Sequence, residues 1–165
     1  MDTLYLIKNR KNVFHFNKKE VDAGMLAEIL NCARVTPTNE YEQVWKFIII
    51  KNKDMKSKIS QIVGLDYIFE CNVLIAVFSE DRKFKREYAA SAVEAMTIAA
   101  NANGIGVNWQ ICYGEKYAKQ IEALLDSPEQ LRLMSLVTLG YYDFISPVFK
   151  TIPSLSEIIA YEKFK

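Results

Sequence analysis

The sequence predicts an α+β fold, a central mixed or antiparallel sheet flanked by helices, and three observations carry that prediction. Two helical stretches precede the first strand. Strand and helix patterns alternate from there to the C-terminus. No glycine-rich dinucleotide loop or P-loop follows the first strand, where Asn52-Lys53-Asp54 stands instead. The 165 residues fit one ordinary domain spanning 1–165, and half of them are hydrophobic, enough for a sizeable core.

Leu4 and Ile7 stand at helical spacing and basic residues follow at once, which predicts a short first helix over Asp2 to Asn9. Val21, Met25, Leu26, Ile29, Leu30 and Ala33 form one apolar stripe, so a second helix runs from about Asp22, its expected N-cap, to Arg34. Thr36-Pro37-Thr38-Asn39 stops it, because proline disfavours helix in the residue before it. Trp45 to Lys51 is aromatic and β-branched, a strand. Lys53 to Val63 is expected to be a surface helix, with lysines 51, 53, 56 and 58 on a solvated face.

Val73 to Phe78 is a short continuous apolar run, the mark of a strand buried on both faces. A charged loop, Arg82 to Arg86, leads to a long alanine-rich helix, Tyr88 to Asn103, which Gly104 ends in a left-handed turn. Its small-residue face, Ala89, Ala92, Val93, Met96, Ala99 and Ala100, suits either a core helix or a seam between two copies of the chain. Ile105 to Cys112 is a third strand, Glu115 to Leu125 an amphipathic helix, and Leu133 to Tyr141 a fourth strand. An extended tail begins at about 144 and ends in a helical turn over Ser154 to Tyr161.

Composition excludes several function classes. Charges nearly cancel, at a formal net +1, which gives no reason to expect nucleic acid as partner. No apolar run is long enough for a bilayer, and no secretory leader is visible, so a cytoplasmic protein with no membrane partner is expected. The three cysteines, Cys32, Cys71 and Cys112, are widely spaced and odd in number, which argues against a disulfide framework or a zinc site. The single histidine, His15, sits in an alternating segment where it is expected to face solvent, and no nucleophile–histidine motif exists. Chemistry with no evident side-chain catalyst points to a bound cofactor that carries the reaction.

Five stretches, in order along nearly the whole chain, resemble the FMN-dependent nitroreductase family. Arg10-Lys11-Asn12-Val13-Phe14-His15-Phe16 is similar to that family's opening motif after its first helix. Thr36 to Phe47 resembles its second motif, a Pro-Ser loop leading through Asn-x-Gln-Pro-Trp into a strand. Tyr88 to Gly106 resembles its long central helix, Leu139-Gly140-Tyr141 its closing strand, and Ile152 to Ile159 its C-terminal tail.

The resemblance implies an intertwined homodimer with FMN at the interface and the tail wrapped onto the partner. It also implies NAD(P)H as reductant and a small electron-poor molecule, a nitroaromatic or quinone, as acceptor in a ping-pong exchange. The flavin carries the chemistry, so no side chain is catalytic. Arg10 and Lys11 would hold the FMN phosphate, a task for which a guanidinium fork is well matched. Asn12 would stand where a serine usually bonds the ribityl chain or phosphate. Pro37, Thr38, Asn39 and Tyr41 would line the ring from the other chain, Trp109, Gln110, Ile111 and Cys112 would run along its plane, and Lys150 would add a phosphate contact. The sequence departs from the pattern at Phe14, where the family has a second basic residue near the flavin, at Tyr41, at Val44 and in the tail, which lacks the usual arginine. These departures leave a non-catalytic flavin- or ligand-binding homodimer with an eroded phosphate clamp as the alternative.

Overall fold

A computed structural model describes residues 2–38, 44–145 and 152–163. The elements run α1 (Thr3–Asn9), α2 (Ala23–Arg34), β1 (Trp45–Ile50), α3 (Lys53–Val63), α4 (Tyr67–Glu70) and β2 (Val73–Glu80). They continue with α5 (Lys85–Ala102), β3 (Gly106–Ile111), α6 (Ala118–Leu124), β4 (Leu131–Gly140) and α7 (Leu155–Ile158). The four strands form one sheet in the order β1-β2-β4-β3, and every neighbouring pair is antiparallel. This is the expected α+β class, with the sheet antiparallel rather than mixed. Because β2 and β3 both run against β4, they are parallel to each other. The α5 crossover therefore skips one position, and β4 fills it later in the chain.

Alternation along the strands makes two cores. On one face, Val73, Ile75, Val77, Val107, Val137 and Leu139 pack under α2 and α5. On the other, Ile50, Leu74, Ala76, Phe78, Leu133 and Leu136 pack under α3, α4 and α6. The central β2 feeds both, so it is buried from Val73 through Ser79 and reads as an unbroken apolar run. A register shift between Val77 and Phe78 makes Met134 the extra residue of β4, which puts Leu133 and Leu136 on the same face despite their spacing of three.

Local chemistry sets most boundaries. Asp22 caps α2 by accepting from the backbone N–H of Gly24 (2.8 Å) and Met25 (3.1 Å), as the sequence predicts. Gly104 adopts φ 70° just after α5.

Two expectations are corrected, and one open alternative is decided in favour of a core helix. The α5 helix begins at Lys85, so part of the anticipated charged loop is helical. Its small-residue stripe is spent inside the chain: Ala92, Val93, Met96 and Ala100 are fully buried against the sheet and α2, and offer no seam. Lys56 is not on a solvated face but is 5% exposed, with its ammonium donating to the Cys71 carbonyl. The short α4 has no counterpart in the sequence reading; four residues are too few for periodicity to register.

Candidate functional site

The site is built around an arm, residues 10–17, laid along the outer edge of β3. Asn12 forms a parallel bridge with Val107, and the Val13 N–H donates to the Val107 carbonyl at 2.8 Å. Further on, the Asn17 N–H donates to the Tyr141 carbonyl at 2.8 Å. Asn72 locks the join, its amide donating to the Asn17 carbonyl at 3.1 Å while its oxygen accepts from the Tyr141 N–H at 3.4 Å. Two glycines let the arm lie so close. A Cβ at Gly106 would stand 2.6 Å from Val13 Cγ2, and one at Gly140 would stand 2.8 Å from the Phe16 ring. The bridge uses both polar groups of Val107, so by strand alternation the N–H and C=O of Trp109 also face this edge, beyond the point where the arm departs.

Arg10 and Lys11 emerge from the end of α1 over α5. The Arg10 guanidinium pairs with Glu94 at 2.9 Å and donates to the Ile7 carbonyl at 2.6 Å, while the Lys11 N–H donates to Asn101 Oδ1 at 2.7 Å. Glu94 and Asn101 are two turns apart on one side of α5. The Arg10–Glu94 pair is half-exposed, and such pairs contribute about 0–1 kcal/mol, so a phosphate can compete for the guanidinium. Lys11 and Asn12 are exposed.

Phe14 turns the other way and meets the Tyr67 ring edge-on, with centroids 5.5 Å apart. Where the family places a cation, this chain has an aromatic pair. Burial pushes the Tyr67 hydroxyl above its ordinary value, helped by nearby Tyr117.

The end of β3 is tied down from the side of α6. The Tyr117 hydroxyl donates to the Ile111 carbonyl at 3.2 Å and accepts from Gln110 Nε2 at 3.2 Å. Trp109 packs partly into the core under α2 and α5, and Ile111 is exposed. Cys112 is fully buried among the residues under α3 and α6, and burial pushes its thiol up to about 12. Its side chain thus belongs to the core, and what the strand offers a ligand here is backbone and the Ile111 side chain.

Pro37 and Thr38 lie on the stretch that leaves α2, Pro37 exposed and Thr38 half-buried. Asn39, Tyr41 and Lys150 fall outside the described residues. His15 faces solvent as expected, 3.7 Å from Glu70. The cations around the start of α5 are largely spent: Arg82 pairs with Glu80 at 2.6 Å, Lys85 pairs with Asp81, and Arg86 lies over the Tyr113 ring. No cluster able to hold a metal ion exists among the described residues. The sequence reading missed Glu94, Asn101, Tyr67 and Tyr117, for which single residues far away in the chain gave no signal.

No protein-family model matches the sequence. Solved structures do match in shape. An FMN-dependent nitroreductase from Clostridium difficile R20291 superposes with a TM-score of 0.89 at 19% identity, covering 98% of this chain and 99% of that one. An iodotyrosine deiodinase bound to FMN and 3-iodo-L-tyrosine superposes with a TM-score of 0.88 at 22% identity, covering 99% and 100%. The chain therefore has the nitroreductase fold.

Sequence relatives agree. An Archaeoglobus fulgidus protein provisionally named NADH dehydrogenase/NAD(P)H nitroreductase is 26% identical over 148 residues, 85% of each chain. The iodotyrosine deiodinase of Thermotoga neapolitana is 26% identical over 192 aligned positions, covering 99% of this chain and all of that one. With the ordered motifs, these likenesses support the nitroreductase family without any one of them reaching a third of identical residues.

Proposed function

We propose that the chain is an FMN-dependent oxidoreductase that uses NAD(P)H to reduce a small electron-poor molecule, acting as a cytoplasmic homodimer. The observation that carries this reading is the exposed Arg10-Lys11-Asn12 run, fixed by backbone hydrogen bonds beside the unpaired edge of β3. These residues fit the group. Two cations suit a phosphate, the Asn12 amide suits a hydroxyl or phosphate oxygen, and the backbone polar groups of Trp109, without a partner among the described residues, suit the hydrogen-bonding edge of a heterocycle.

When bound, FMN supplies the redox chemistry in both halves of a ping-pong exchange. The chain's residues bind and orient it. Arg10 would release Glu94 and take the phosphate with Lys11. Asn12 would hold the ribityl end, and Trp109 to Ile111 would provide a rigid strand for the ring. Phe14 withholds the positive charge that would favour a reduced, anionic ring, so this chain should hold its flavin at a lower potential than a relative with lysine there.

The homodimer rests on the tail. Ile152, Leu155, Ile158 and Tyr161 are 63–87% exposed, and α7 buries none of its residues in its own chain. A segment so apolar and so uncovered suits a partner's surface. Pro37, Thr38, Asn39, Tyr41 and Lys150 are then proposed as contributions to the partner's flavin.

Purified protein should be yellow and should bleach with NAD(P)H in the absence of oxygen. Arg10→Ala should weaken FMN binding by about 1.5–3 kcal/mol, the value of a charge-assisted contact. A colourless protein that cannot be loaded with FMN ends the proposal.

A second reading, reductive dehalogenation, is supported by the end-to-end alignment with the Thermotoga neapolitana protein. Halide release from an iodinated phenol, without turnover of nitroaromatics, would favour it. Flavin that binds but is not reduced would favour the non-catalytic homodimer, to which Phe14 lends weight.

A further inference from the structure

A second concavity lies where β1 leaves the sheet and β2 enters it. It encloses about 560 Å3 between residues 16–21, the start of α3 and the α4–β2 turn, and none of residues 10–14 or 109–112 lines it. That volume is in the range of small-molecule sites.

Its walls carry four lysines, Lys18, Lys51, Lys53 and Lys56. Lys56 is the informative one. It is 5% exposed, and its only hydrogen-bond partner among the described residues is the Cys71 carbonyl. An ammonium has three donors, so two are left without an acceptor among the described residues, and no described carboxylate pairs with it. Lys18, Lys51 and Lys53 form no ion pair among the described residues. Two carboxylates also line the space, but Glu70 leans toward His15 at 3.7 Å, and Glu20 stands within ion-pair distance of none of the lysines.

The N-terminus of α3, an eleven-residue helix, adds to the positive field. Asn52 satisfies the Met55 N–H with its side chain and the Lys56 N–H with its carbonyl, which leaves the first N–H groups, beside Lys53, for a ligand. Phe69, 47% exposed, gives the same space an aromatic wall.

We propose that this concavity binds a small organic phosphate, with Lys51, Lys53 and Lys56 around the phosphate and Phe69 against the apolar body. The buried ammonium, with one of its three donors satisfied among the described residues, is the feature that a solvated lysine patch would lack.

The test is calorimetric titration of the full chain with phenyl phosphate, in an Arg10→Ala/Lys11→Ala background that removes the other expected phosphate site. The binding expected there should persist and weaken with added salt. Adding Lys51→Gln and Lys53→Gln should lower affinity by about tenfold or more, the loss expected from charge-assisted contacts. Inorganic phosphate, which lacks the apolar body, should bind more weakly than phenyl phosphate. No binding in the Arg10→Ala/Lys11→Ala chain, or an affinity unmoved by the Lys51 and Lys53 changes, overturns the proposal. Lys56→Met should abolish binding as well. The two exposed lysines keep the test decisive if that buried substitution prevents folding.

Discussion

Adding one methyl group at residue 106 should lift the arm off β3. An alanine Cβ there would stand 2.6 Å from Val13 Cγ2, 2.9 Å from Val13 Cβ and 2.6 Å from Tyr142 Cδ1. Carbon atoms pack at about 3.5–4.0 Å, so something must move by roughly 1 Å. The Tyr142 ring is half-buried and can turn aside. Val13 cannot, since it is 1% exposed and its N–H is held to Val107 at 2.8 Å. Overpacking of this kind costs about 1–3 kcal/mol. Reduced freedom in the unfolded chain offsets about 0.4–1 kcal/mol of it, which leaves a net loss of about 1–2 kcal/mol.

Urea denaturation of Gly106→Ala should therefore show a lower midpoint at unchanged slope. FMN affinity should fall too, because Arg10 to Asn12 ride on the same arm. Val13→Ala in the same chain removes the Cγ2 clash but not the Cβ one. The double variant should then be less destabilised than the sum of the singles, by about 0.5–1 kcal/mol. Strict additivity, or a Gly106→Ala chain as stable as the parent, would show that the arm does not lie against β3 as described.

Three other outcomes follow from the same structure. Phe14→Lys should raise the potential of bound flavin, by about 30 mV for each 1.4 kcal/mol by which the new charge favours the reduced form; redox titration against dyes checks it. Leu155→Asp with Ile158→Asp should shift the chain from dimer to monomer in sedimentation while leaving its circular dichroism intact, since both side chains are exposed in the single chain. Burial pushes the Cys71 and Cys112 thiols from 9.0 up to about 12, so both stay protonated in the folded chain while the unfolded chain ionises. The unfolded state then binds fewer protons than the folded one. Stability should be level below pH 9.0 and fall progressively toward about 12, and alkylation at pH 8 should reach the exposed Cys32 first.

Most elements were legible because they are periodic. The stripe from Val21 to Ala33, the run from Val73 to Phe78 and the caps at Asp22 and Gly104 each act within a few residues, where sequence is a direct record of structure. The arm was legible only as a motif. That Arg10 is held by Glu94 and Lys11 by Asn101 depends on contacts 84 and 90 residues apart, which no local pattern encodes. The burial of Lys56 was misjudged for the same reason: its helix looks amphipathic in isolation, and only the α4–β2 turn supplies the carbonyl that covers its ammonium.

By itself, then, the sequence determined the periodic helices and the four strands though not the short α4, that the fold is α+β, and which basic run resembles a phosphate-binding motif. Tertiary structure alone decided the antiparallel strand order, the face on which α5 spends its small residues, and the edge of β3 to which the arm is bound. Backbone pairing between distant strands and burial against distant helices set those features. Their energies belong to pairs of residues, whereas a single sequence displays residues one at a time.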